Sequence, residues 1–241
     1  MPLLAVSKLS KSFRGLRAVA DASFEVDPHA VVALIGPNGA GKTTIFNLIA
    51  GVHRPDSGDI HLGGARISGL PAHQVCAAGI GRTFQLVKPF DGMSVLDNVV
   101  VGALLREPAV ANARRRAHAV LERLGLGSKM DIPASQLTLA DRRRLEVARA
   151  LATRPSLLLL DEMMAGLRPT EIDEMVTVLQ DVRRDEGITV LLIEHVMRAV
   201  MALAEHIVVL HHGEVVARGT PSSVVSNPAV LDCYLGGGAP G

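Results

Sequence analysis

The sequence has little sulfur, few aromatic rings and no surplus of charge. Two cysteines, Cys76 and Cys233, stand far apart without companions, which excludes a disulfide scaffold and a cysteine zinc site and predicts a reducing compartment, the cytoplasm. Five Phe, one Tyr and no Trp leave the core to aliphatic side chains. The 25 basic and 24 acidic residues give a net charge of +1. No overall field therefore favours nucleic acid or an anionic lipid surface; no nucleic-acid partner is expected, and any partner must be met through a local site. No apolar run approaches the roughly 18 residues that a membrane-spanning helix needs. Residues 1–10 also lack the basic start and long apolar stretch of a secretory leader. What is present is a 241-residue chain, 48% hydrophobic, which suits one large domain with a sizeable core and excludes a disordered chain.

Short apolar runs alternate with longer helical patterns. The runs are Val31 to Ile35, Leu157 to Leu160, Ile188 to Ile193 and Ile207 to Leu210. They lack period-two alternation, which predicts strands buried on both faces of a mainly parallel α/β sheet. Leu3 to Leu9 and Ala18 to Val26 mix polar and apolar positions and predict an antiparallel layer at the N-terminus. Ile207 to Leu210 and Glu214 to Ala217 bracket His211, His212 and Gly213 as a hairpin. From about residue 90 to 151 the texture becomes helical and rich in Ala, Leu and Arg, broken at Pro108, Gly125, Gly127 and Pro133. The expected organisation is one domain over residues 1–235. Its core is 1–89 with 152–235, around a helical subdomain at about 90–151, and a glycine-rich disordered tail follows at 236–241.

Directly after the first apolar run stands Gly36, Pro37, Asn38, Gly39, Ala40, Gly41, Lys42, Thr43 and Thr44, a full match to G-x-x-x-x-G-K-[ST], with a helical pattern following. Glycines let backbone wrap around phosphate oxygens, and successive N–H groups at a helix start form an anion nest. Lys42 is expected at the β and γ phosphates of a nucleoside triphosphate, and the Thr43 hydroxyl on Mg²⁺. Asp161 and Glu162 end the buried run that starts at Leu157, at the strand end where ligands of open α/β sheets collect. Asp161 is expected in the Mg²⁺ shell, and Glu162 as the group that polarises the attacking water. Loop and acid pair together specify a nucleoside triphosphatase.

With these motifs in this order, the chain resembles the ATP-binding subunits of ABC transporters over nearly its whole length. The resemblance implies a P-loop NTPase (RecA-like) core with an N-terminal antiparallel β layer and an inserted helical subdomain. It also implies further roles. Gln85, in the stretch from Gly81 to Gln85, matches the glutamine that touches Mg²⁺ and the attacking water and links the site to a membrane subunit. His195 matches the switch histidine at the γ phosphate. Phe13 falls where the family places an aromatic against adenine, a contact that needs only a flat apolar face. The stretches Gly79 to Phe90, Met93 to Asn98, Ala165 to Pro169, Gly219 to Pro221 and Tyr234 to Gly236 resemble the ATPases of branched-chain amino acid and related amide or urea uptake systems. In such systems a solute-binding protein and membrane permease subunits select the solute.

One motif is altered. The family's Leu-Ser-Gly-Gly-Gln signature aligns with Leu137, Thr138, Leu139, Ala140 and Asp141. In a sandwich dimer this segment caps the γ phosphate bound by the other subunit. Thr138 keeps the hydroxyl, Ala140 replaces a glycine, and Asp141 replaces a neutral amide. A carboxylate about 4 Å from phosphate would cost on the order of 4 kcal/mol per unit charge at an effective dielectric of 20. Thr138 and Asp141 fit the S/T-x-x-D/E capping pattern, so Asp141 is expected to turn back to the Thr138 backbone N–H. Arg168 stands where the family has an acid. The arginine runs at 114–116 and 142–144 read as solvated helix faces and the His211, His212 pair as surface, not as nucleic-acid or metal sites.

The function expected from these residues is ATP binding and hydrolysis in a dimer of identical or paralogous ATPases. The dimer would sit peripherally on the cytoplasmic face of the plasma (inner) membrane and drive an importer of branched-chain amino acids or related solutes. A groove at about 87–99 would dock a permease helix. The competing reading is an ATP-dependent dimerising regulatory module that hydrolyses weakly because of its altered signature. A soluble repair or translation ATPase would require two cassettes or a long insertion.

Overall fold

The structure, a computed structural model, describes residues 1–84 and 89–235. The first half of the chain runs β1 (Leu4–Phe13), β2 (Leu16–Val26), β3 (Val31–Ile35), α1 (Lys42–Ile49), β4 (Ser57–Leu62), β5 (Ala65–Arg66), α2 (Ala72–Ala78), β6 (Ile80–Arg82), α3 (Val95–Ala103) and α4 (Val110–Arg123). It continues through α5 (Leu139–Ala152), β7 (Leu157–Asp161), α6 (Pro169–Glu186), β8 (Thr189–Ile193), α7 (Met197–Leu203), β9 (His206–His211), β10 (Glu214–Gly219), α8 (Pro221–Val225) and α9 (Pro228–Leu235). These elements form two compact units, Met1–Ala78 with Thr189–Gly241, and Gly79–Ile188.

The first unit holds an antiparallel sheet in the order β2-β1-β4-β5. Its inward face alternates along β1, with Leu4, Val6 and Leu9 buried and paired near Val26, Phe24 and Ala22 of β2. The same unit carries β3 between two parallel neighbours, β8 and β9, with β10 folded back antiparallel on β9. All residues of β3 and β8 are buried, as an unalternating apolar run requires when helices cover both faces. Leu34 is opposite Ile193, so β3 and β8 end together at their C-terminal edge.

In the second unit, β6 pairs in parallel with β7, Arg82 opposite Leu159. Helices α3, α4 and α5 bury Val95, Val99, Ala113, Ala117, Val120, Leu121, Leu145 and Ala148 among themselves. Full burial of an aliphatic side chain of this kind is worth about 1.5–3 kcal/mol. The buried Asn98 is satisfied by the chain it orders. It accepts from the Phe90 N–H at 2.8 Å and donates to the carbonyls of Phe90 and Ser94 at 3.1 and 2.9 Å. Helix α6 opens on Arg168, whose backbone N–H donates to Glu171 at 2.8 Å, with Pro169 at its first position. The residue standing in place of the family's acid thus has a capping role. Within this unit Arg114, Arg116 and Arg144 pair with Asp97, Glu186 and Glu174, and Arg142 donates to the carbonyls of Leu137 and Ser135.

Among the described residues no helix is long and apolar enough to cross a membrane, both cysteines are free thiols, and no cluster of metal-ligating side chains forms.

Candidate nucleotide-binding site

The phosphate loop fills the turn between β3 and α1, and its shape is forced by neighbouring backbone. A Cβ added at Gly36 would lie 2.0 Å from the Leu210 carbonyl oxygen, and one at Gly41 would lie 2.3 Å from that of Ala18. Both glycines also have positive φ, 151° and 103°. The β9–β10 hairpin is bonded to the loop, its Gly213 N–H donating to the Ala40 carbonyl at 2.9 Å while the Gly213 carbonyl accepts from Ala20 at 2.9 Å. Tyr234 of α9 reaches the same place: burial pushes its hydroxyl pKa up, and a hydrogen bond with the Gly36 backbone opposes that shift. No side chain caps α1 and no acid occupies its first turn, so the loop presents backbone donors and positive dipole. Lys42 is 6% exposed and curls into the loop, donating to the carbonyls of Gly36 and Pro37 at 2.7 and 2.9 Å.

Two further expected residues lie in this unit. His195 follows β8, past Ile193, and is exposed, so it leaves the same sheet edge as the phosphate loop. Its backbone N–H donates to Glu194 at 3.3 Å. Phe13 ends β1 and is 39% exposed, outside the core. The His53 ring meets it edge-on at 5.2 Å, and the Lys11 ammonium lies 5.5 Å from its centroid.

The second unit carries the acid pair. Asp161 ends β7 with 1% exposure. Its N–H donates to the Thr83 hydroxyl at 3.1 Å, and its Oδ2 accepts from Arg82 at 3.1 Å. Among the described residues Oδ1 has no partner. Burial pushes the Asp161 carboxyl pKa up, and Arg82 pulls against that. Glu162 follows with φ near 50°, a left-handed conformation that costs a residue with a Cβ and turns the chain sharply at the strand end. Gln85 lies outside the described residues, but the chain leading to it is fixed. Thr83 bonds the Leu159 carbonyl through its N–H at 3.0 Å, and Glu146 is bonded by the Phe84 backbone. Part of the expected docking groove, residues 87–88, also lies outside them.

The altered signature segment is the start of α5. Thr138 is the helix N-cap and its hydroxyl accepts from the Asp141 N–H at 3.2 Å. Asp141 is 5% exposed and does turn back, but not to the Thr138 backbone N–H. Its Oδ2 accepts from the Thr138 hydroxyl at 2.8 Å and from the Lys129 ammonium at 2.5 Å. Lys129 supplies the opposite charge a buried carboxylate requires. The negative charge is therefore matched locally. Asp141→Gln is expected to leave steady-state ATPase activity unchanged or raised; a large loss in phosphate release would contradict this arrangement.

Sequence reasoning missed Arg82, Lys129 and the bracing of the loop by Leu210, Gly213 and Tyr234. The basic residue three positions before Gln85 is a visible signal for Arg82. Tyr234 stands in a stretch that carries the resemblance and Gly213 in the expected hairpin, but neither pattern names the loop as partner, since each of these contacts joins chain segments that only the fold brings together.

An open α/β fold with a glycine-wrapped phosphate loop and a strand-end acid pair defines a nucleotide-binding cassette. The family described as ABC transporter matches residues 19–165, and one described as branched-chain amino acid ATP-binding cassette transporter matches residues 214–240. The chain is 42% identical to the high-affinity branched-chain amino acid transport ATP-binding protein LivG of Salmonella typhimurium and 40% identical to BraF of Pseudomonas aeruginosa, in each case over 98% of both chains. A crystal structure of the ADP conformation of an ATP-binding cassette of an ABC transporter superposes with a TM-score of 0.88 at 29% identity, covering 98% of this chain and 99% of that one. The chain belongs to the ATP-binding subunits of ABC transporters.

Proposed function

We propose that this chain is the ATP-hydrolysing subunit of an importer for branched-chain amino acids or chemically related small solutes. It works as a dimer with an identical or paralogous chain on permease subunits at the cytoplasmic face of the membrane. The observation that carries the reading is near-complete coverage at 40–42% identity to LivG and BraF, with every residue of the phosphate loop and the acid pair present.

In this reading residues 36–44 wrap the phosphates of ATP, Lys42 exchanges its loop carbonyls for phosphate oxygens, and Phe13 lies against adenine. For Mg²⁺, the buried Oδ1 of Asp161, without a partner among the described residues, offers a hard anionic ligand, and Thr43 offers a neutral oxygen. Gln85 is a third candidate ligand. A cation held by these residues would supply neutralisation of phosphate charge. Glu162 orients and deprotonates the water, and His195 holds the γ phosphate. Leu137, Thr138, Ala140 and Asp141 of the partner close over the nucleotide through the α5 dipole.

Co-purification of the tagged chain from its native membrane tests the proposal. Recovery of permease subunits, with a solute-binding protein that takes an aliphatic amino acid, is the expected result; soluble partners alone would overturn it.

A further inference from the structure

Asp161 is a carboxylate with two unlike halves. Its side chain is 1% exposed, its Oδ2 is held by the Arg82 guanidinium at 3.1 Å, and its Oδ1 has no partner among the described residues. A buried carboxylate left without any cation would be strongly penalised, and the Arg82 contact offsets part of that cost. Arg82 itself is 10% exposed and ends β6, and Phe84 follows two residues later, with its ring centroid 5.4 Å from the guanidinium carbon. The guanidinium thus lies between a carboxylate and a half-exposed aromatic face, two surfaces that can each hold a cation.

We propose that Arg82 is the resident counter-cation of Asp161, traded against the divalent metal. This rests on the reading of Asp161 as a metal ligand. With no metal, Arg82 holds Oδ2 and keeps the strand end ordered. Once the carboxylate has a divalent counter-ion at Oδ1, the two cations repel through one carboxylate, and Arg82 loosens its hold and shifts toward the Phe84 ring. Because Thr83 and Phe84 directly follow Arg82, metal occupancy is reported to these two residues. Arg82 is in this sense a positioning residue that acts through Asp161.

Arg82→Met keeps the bulk of the side chain and removes its charge. Without metal, the variant is expected to melt lower than the parent by roughly 5–10 °C. With saturating Mg²⁺ and ADP most of that gap closes. In a titration of Mg²⁺ at fixed fluorescent ADP, the half-saturating Mg²⁺ concentration is expected to fall on the order of tenfold, because a repelling charge has gone. Equal destabilisation with and without Mg²⁺, or an unchanged or raised Mg²⁺ midpoint, would overturn the proposal. Asp161→Asn serves as the control for the reading beneath it: an Mg²⁺ midpoint unmoved by that change would mean Asp161 is no ligand. A raised midpoint there, beside a failed Arg82→Met result, would sink the counter-cation role alone. Should Arg82→Met not fold, amide exchange in the parent protein decides: Mg²⁺ added to the ADP complex is expected to quicken exchange at Thr83 and Phe84, and unaltered rates would overturn the proposal.

Discussion

Glu162→Gln is expected to lower steady-state ATP turnover by roughly 10²–10⁴-fold, the usual contribution of a general base, while ATP still binds. The substitution keeps the shape and polarity of the side chain and removes only its charge and basicity. The left-handed backbone at Glu162, with φ near 50°, is as accessible to Gln as to Glu, so the strand end is preserved. Asp161 keeps its contacts to Arg82 and Thr83, so metal and nucleotide affinity are expected to hold. Phosphate release and fluorescent-nucleotide binding measured on the same preparation check both halves. Turnover within tenfold of the parent would remove Glu162 from the base role.

Lys42→Ala carries the second large effect, and on the opposite quantity. Each charge-assisted hydrogen bond lost from the lysine is worth about 1.5–3 kcal/mol, so ATP affinity is expected to fall by roughly 10–100-fold. The protein should remain folded. Lys42 bonds the Gly36 and Pro37 carbonyls, which are loop groups, while the loop is also held by the Gly213 N–H on the Ala40 carbonyl. Calorimetric titration with ATP against an unchanged melting curve distinguishes a lost ligand contact from a lost fold. Affinity within threefold of the parent would mean the ammonium never leaves its own carbonyls.

How much of this was legible in the sequence depended on whether the cause was local. The buried runs became β3, β7 and β8 within a residue or so, because a strand covered on both faces must be apolar throughout. The phosphate loop could be read for a related reason: its backbone angles need glycine wherever they occur. Strands β4 and β5 gave no such signal. Ser57–Leu62 is mostly half-exposed at its start and includes Gly58, and Ala65–Arg66 is exposed and only a bridge in length. Strand β6 is three residues long, and only its pairing with Leu157–Leu159 makes it a strand. At the site, the turning back of Asp141 followed from the capping pattern, but its true partners did not. Lys129 reaches the carboxylate from 12 residues away, and that approach exists only after folding. Arg82 and Asp161 meet across 79 residues for the same reason.

The phosphate loop is complete as a motif by Thr44, yet the groups that give it shape come from the far end of the chain. The Ala40 carbonyl is held by Gly213, and Gly36 is pressed against Leu210. In kinetic terms the loop is a non-local structure that closes only after a long stretch of chain has been brought back, an event of high contact order. During synthesis the nascent chain therefore carries the complete loop motif long before the groups that shape the loop have been made.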